Sequence, residues 1–127
     1  MNTSATHELL SEIKSAAKLR PRTIGYFEGR LTGLLHQALL ALLRVMEQKD
    51  GFSKRHFATR IGKKPEQITR WFSSPNNLTL GTISALFLGA GYEIRGFVVT
   101  DLATGNTEHF PAVSVSKTLG TSVDSRS

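Results

Sequence analysis

The chain has 127 residues, with sixteen Lys or Arg against ten Asp or Glu and a net charge of +6. That length allows one domain with a modest core, and a sequence pI near 10.1 points to an anionic partner, nucleic acid or an acidic surface. The absence of cysteine excludes a disulfide framework and thiolate metal sites, and His7, His36, His56 and His109 lack ligand spacing, so no metal or cofactor is expected.

No N-terminal segment has the order of a signal peptide. The richest apolar run, Leu31 to Met46, is interrupted by Thr32, His36, Gln37 and Arg44. It falls short of the ~20 residues that cross a bilayer. A cytoplasmic protein with no membrane partner is expected.

The first four residues are polar and expected to fray. From Thr6 to Leu19 the apolar residues Leu9, Leu10, Ile13, Ala16 and Ala17 form one stripe of an amphipathic helix. Its other face carries Glu8, Glu12, Lys14 and Lys18, and Lys14, Lys18, Arg20 and Arg22 read as a solvated face. Arg20-Pro21-Arg22 ends the helix, because a residue preceding proline is disfavoured in the α region. Residues 1–24 are thus an N-terminal amphipathic helix and linker.

A second helix is predicted from Gly25 or Arg30 to Gln48, on the stripe Leu31, Leu34, Leu35, Ala38, Leu39, Leu42 and Met46. Leu40 and Leu43 widen the apolar surface, which then needs cover on more than one side. Asp50-Gly51 closes the helix. Ser53 is the predicted N-cap of a short helix to Ile61, Gly62 the turn, and Pro65 the first position of a helix to Ser73. Ser74-Pro75-Asn76-Asn77 is a turn cluster, and Thr79 caps a last helix from Leu80 to Gly89.

After Gly91 the texture changes to period-two alternation at Tyr92 to Arg95, then β-favouring Phe97 to Thr100. Asp101 to Gly105 is a hairpin loop, and Asn106 to Phe110 the return strand, stopped by Pro111. A lone hairpin is marginal in water, which makes residues 92–111 the expected dimerisation element. Residues 112–127, rich in Ser, Thr and Val, read as a flexible tail. The expected fold class is mainly α, a helix-turn-helix domain of four to five helices over residues 25–91 with a C-terminal β-hairpin.

Chemistry concentrates between Gly51 and Tyr92. That segment holds Lys54, Arg55, Arg60, Lys63, Lys64 and Arg70 against the single carboxylate Glu66, a balance of +5. Such asymmetry suits a phosphate backbone. Ala58 is small where two helices approach, Gly62 permits the turn, and Phe57, Ile61, Ile68 and Trp71 have the spacing of a shared core.

The stretch SKRHFATRIGKKPEQITRWFSSPNNLTLGTISALFLGAGYEI resembles the lambda-repressor-like, or Xre/Cro-type, family of DNA-binding domains. NLTLGTISALFLGAGYEI looks like that family's closing helices, with apolar Leu78, Leu80, Ile83, Leu86 and Phe87. Pro65 and Trp71 depart from the polar and aliphatic residues usual there, and Pro75-Asn76-Asn77 replaces a short glycine-containing connection.

In the recognition helix that the resemblance implies, Ile68 and Trp71 point inward, leaving Glu66, Gln67, Thr69, Arg70 and Ser73 outward. Arg70 suits guanine O6 and N7, Gln67 suits adenine N6 and N7, and Glu66 suits cytosine N4 or, equally, the helix dipole. Base-contact candidates are Glu66, Gln67, Thr69, Arg70 and Lys64. Phosphate candidates are Ser53, Lys54, Lys63, Ser73, Asn76 and Asn77. Trp71 reads as core rather than a base-stacking platform.

The resemblance implies a sequence-specific double-stranded DNA-binding transcriptional regulator, a repressor acting as a homodimer, with RNA polymerase as a further partner and the nucleoid as its place. The alternative is an antitoxin that binds its own promoter and a protein toxin, held by the N-terminal helix or the tail. No Ser/His/Asp set, carboxylate pair or phosphate-cradling glycine loop has sensible spacing, so no enzymatic activity is expected.

Overall fold

The computed structural model describes residues 3–112, in the order α1 (Thr3–Lys14), α2 (Pro21–Glu47), α3 (Lys54–Arg60), α4 (Pro65–Ser73), α5 (Leu80–Gly89), β1 (Phe97–Thr100) and β2 (Thr107–Phe110). This is the expected mainly helical fold with a C-terminal two-stranded antiparallel hairpin. Residues 20–94 form one compact unit, and α1 and the hairpin lie outside it. From residue 113 onward the expected tail lies outside the described residues. No described helix is long and apolar enough to cross a membrane.

Several boundaries differ from the sequence expectation. Thr3 and Ser4 are helical rather than frayed, and α1 stops at Lys14, five residues before Leu19. Just past that end the Ser15 hydroxyl accepts from the Ala17 N–H at 3.0 Å, a local bond that competes with helix continuation. Helix α2 starts at Pro21, four residues before the earliest expected start. Arg20 is extended, as a residue before proline must be, and Pro21 then begins the next helix at a position where its missing N–H is harmless.

The other helix signals are local. The Ser53 hydroxyl accepts from the His56 N–H at 3.2 Å, and Thr79 accepts from Thr82 at 3.1 Å, so both predicted caps form. Gly51 and Gly62 have φ of +78° and +73°, the left-handed conformation that lets the chain reverse after α2 and between α3 and α4.

The core of the compact unit gathers one stripe from each of four helices. Leu39, Leu42 and Met46 of α2 meet Phe57 and Ala58 of α3, Ile68 and Phe72 of α4, and Leu86 of α5. Leu35, Leu43, Ile61, Trp71, Leu78 and Phe87 pack at its margin. The expected α2 stripe therefore splits. Leu39, Leu42 and Met46 are buried, whereas Ala38 is exposed and Leu31 and Leu34 are 67% and 62% exposed. Helix α2 extends well past the short helices it packs on, so periodicity alone overstated its buried length. Leu80, expected in the closing core, is exposed in the first turn of α5.

The hairpin is shorter than expected. Tyr92 to Gly96 make no strand, and pairing runs from Phe97 opposite Phe110 to Thr100 opposite Thr107. The Asp101 carboxylate instead organises the loop, accepting from the N–H groups of Ala103 and Thr104 at 2.8 and 3.3 Å.

Candidate nucleic-acid interface

Helix α4 is oriented by its apolar seam. Ile68 and Phe72, one turn apart, are buried. With 3.6 residues per turn, Arg70 projects almost directly opposite that seam, flanked by Glu66 and Ser73. All three are exposed. Expectation and structure differ on the inward residue, since Phe72 takes the deep position assigned to Trp71. Trp71 is half-buried at the core margin, with the Lys63 ammonium 5.9 Å from its ring centroid. Ile68 has inward neighbours at both i+3 and i+4, and only the angle set by α2 and α3 chooses between them.

The start of α3 and the flank of α4 share one surface. Lys54 Nζ donates to Thr69 Oγ1 at 2.9 Å, and the Thr69 hydroxyl donates to the Pro65 carbonyl at 3.2 Å. Ser53, the N-cap of α3, adjoins Lys54. A phosphate candidate and a base candidate from two helices are thus joined directly. Ser73 turns back, its hydroxyl donating to the Thr69 carbonyl at 2.8 Å.

Other candidates are partly committed to the fold. Gln67 Oε1 accepts from the Lys64 backbone N–H at 3.0 Å, closing the start of α4. Two-point pairing of Gln67 with adenine would require breaking that bond. Lys64 is the N-cap residue of α4, and its side chain is exposed. Asn76 Nδ2 donates to Ser74 Oγ at 3.0 Å, and Asn77 takes the left-handed conformation with φ of 60°. Turn formation accounts for both, and both stay exposed beside the end of α4.

Lys54, Arg55, Arg60, Lys63, Lys64 and Arg70 are all exposed, and Glu66 is the one carboxylate among them. Arg60 has a second duty, its Nε donating to the Gly89 carbonyl at 3.0 Å and tying α3 to α5. Sequence reading missed Gly89 itself. A Cβ there would lie 2.6 Å from Ile61 Cγ2 and 2.8 Å from the Phe57 ring, so α3 and α5 touch where the side chain is absent. The surviving arrangement is a helix with one guanidinium and one carboxylate projecting outward, framed by cations and by hydrogen-bonding groups of α3.

No family model, curated protein or solved structure matches this chain.

Proposed function

We propose that residues 20–94 bind double-stranded DNA in a sequence-specific manner, as the likeness to lambda-repressor-like domains implies, and that the protein is a homodimeric transcriptional repressor. The observation that carries the reading is the outer face of α4. It presents Arg70 and Glu66 to solvent, while Lys54, Lys63 and Lys64 surround it with positive charge.

An α-helix fits the major groove of B-form DNA, where each base pair has its own donor and acceptor pattern. With α4 in the groove, the Arg70 guanidinium meets guanine O6 and N7, and Glu66 accepts from cytosine N4. Lys54 and Ser53 approach the adjoining phosphates, and Lys63 adds a further contact. Phosphate contacts fix the register, and base contacts give the sequence preference. Two copies related by a two-fold axis would reach half-sites about 34 Å apart, and occupying promoter DNA in this way blocks polymerase.

Selection of tight-binding sequences from random duplexes, followed by competition with unselected duplex, tests the reading. The expected result is that unselected DNA competes at least ~10³-fold more weakly. The logarithm of affinity should fall with the logarithm of salt concentration at a slope of about −4 to −8. Equal competition by selected and unselected DNA would overturn it.

A further inference from the structure

The part of α2 that the core does not use carries a second apolar seam. Ile24, Phe27, Leu31, Leu34, Ala38, Ala41 and Val45 recur at alternating spacings of three and four over three heptads. That 3.5-residue period keeps a stripe facing one neighbouring helix along its whole length. Ile24, Leu31, Leu34 and Val45 are 55%, 67%, 62% and 38% exposed, Ala38 and Ala41 are exposed too, and Phe27 is half-buried, its ring edge-on to Tyr26. The glycines of this helix, Gly25, Gly29 and Gly33, all fall off the seam. The core-facing residues Leu39, Leu42 and Met46 lie on a different side.

The seam is graded in size. Its N-terminal half carries Ile24, Phe27, Leu31 and Leu34, and its C-terminal half Ala38, Ala41 and Val45. Beside the small half runs a mainly apolar groove of about 380 Å³, with Phe87, Tyr92, Glu93 and Ile94 as its other wall. A parallel partner would set large against large and small against small. A reversed copy, centred near His36, sets Leu34 against Ala38, Leu31 against Ala41 and Phe27 against Val45.

We propose that this face is where a second copy of the chain docks, the two α2 helices packing antiparallel about a two-fold axis near His36. Phe27, Leu31 and Leu34 of each copy then enter the groove of the other. The inference deepens the homodimer of the proposed function by naming its surface, and moves the interface from the hairpin to α2. Length favours this occupant. The seam spans about 30 Å at 1.5 Å per residue, and α1, with twelve residues, spans only ~18 Å. Among the described residues α2 is the one helix long enough to cover it.

A strip ~30 Å long and about 20 Å wide, the helix face plus its groove, buries roughly 600 Å² per copy, about 1,200 Å² in total, the lower end of specific stable interfaces. The two contacts are equivalent, as a two-fold interface requires. Arg30 and Arg44 come together at the rim, where solvent screens their repulsion.

Sedimentation of the full chain without DNA, at micromolar concentration, tests the proposal. The wild-type protein should have the mass of a dimer, and Leu34→Glu half that mass with unchanged circular dichroism, because Leu34 is outside the core. Val98→Glu, on the exposed hairpin, should leave the dimer intact. The chain has no cysteine, so Gln37→Cys, beside the proposed axis, should oxidise to a covalent dimer. That reading stands even if Leu34→Glu fails to fold. A monomeric wild type, as expected if the chain's own segments cover the face, would overturn the proposal. So would a Leu34→Glu protein that stays dimeric, or a Gln37→Cys protein that never cross-links. Because DNA is absent, failure here leaves the DNA-binding reading intact, and failure to bind DNA leaves the dimer surface intact.

Discussion

The Lys54 ammonium donates to Thr69 Oγ1 across 2.9 Å, joining the first residue of α3 to the flank of α4. The bond holds the ammonium beside the helix that is proposed to enter the groove. Arg70, on the far side from the Ile68–Phe72 seam, is the one guanidinium of that helix and is exposed.

Lys54→Ala should weaken binding to every duplex by a similar factor and reduce the salt slope by about one unit. Folding stability should stay within about 0.5 kcal/mol, because the side chain is exposed. Titrations of selected and random duplex at several salt concentrations check both the uniform factor and the slope.

Ser53 separates folding from binding. Its hydroxyl caps α3 through the His56 N–H, so Ser53→Ala should cost about 1 kcal/mol of stability. Ser53→Asp keeps the cap and suits the helix dipole, yet sets a carboxylate against the phosphates. It should unfold at about the wild-type denaturant midpoint while its DNA affinity drops roughly three- to tenfold at low salt. Parallel urea and duplex titrations of the two variants give the comparison.

Phe72 is 4% exposed in the core, and Phe72→Ala should cost about 3–5 kcal/mol. Trp71→Ala should cost less than half as much, because that ring is half-buried and keeps one face toward Lys63. Urea unfolding of both variants ranks them.

Two glycines give opposite signs. Gly89→Ala forces a Cβ against Ile61 and the buried Phe57 ring, and should destabilise the fold by about 1–3 kcal/mol. Gly29→Ala, inside α2 with nothing within 4 Å of the new Cβ, should stabilise it by about 0.5–1 kcal/mol. Thermal unfolding of the two proteins reads both signs.

The contrast between these residues shows what a sequence can disclose. Ser53, Gly62, Pro65 and Thr79 were legible because a cap, a left-handed turn or a helix start is settled within three or four residues. Pro21 was ambiguous because proline both stops the preceding chain and starts a helix, and the sequence alone does not say which role governs. Trp71 and Phe72 could not be ordered because both lie one turn from Ile68. Their ranking is set by the packing angle of α4 on its neighbours. The Lys54–Thr69 bond and the Gly89 contact join positions 15 and about 30 residues apart, so only the folded chain reveals them. The outward set Glu66, Arg70 and Ser73 was legible because it follows from helix period once Ile68 is inside. The use of Gln67 as a cap was written in its spacing from Lys64 but was overshadowed by its capacity to pair with adenine.

The outer face of α4 is proposed to read bases, Arg70 most strongly. The measurement that bears on it most directly is the affinity of wild type and Arg70→Ala for a library of single-base variants of the preferred duplex. The expected result for Arg70→Ala is a loss of about 1–3 kcal/mol on the preferred site and a relaxed preference at one base pair, with the other positions unchanged. A loss of the same factor at every sequence would make Arg70 a phosphate contact and contradict the assignment of this face.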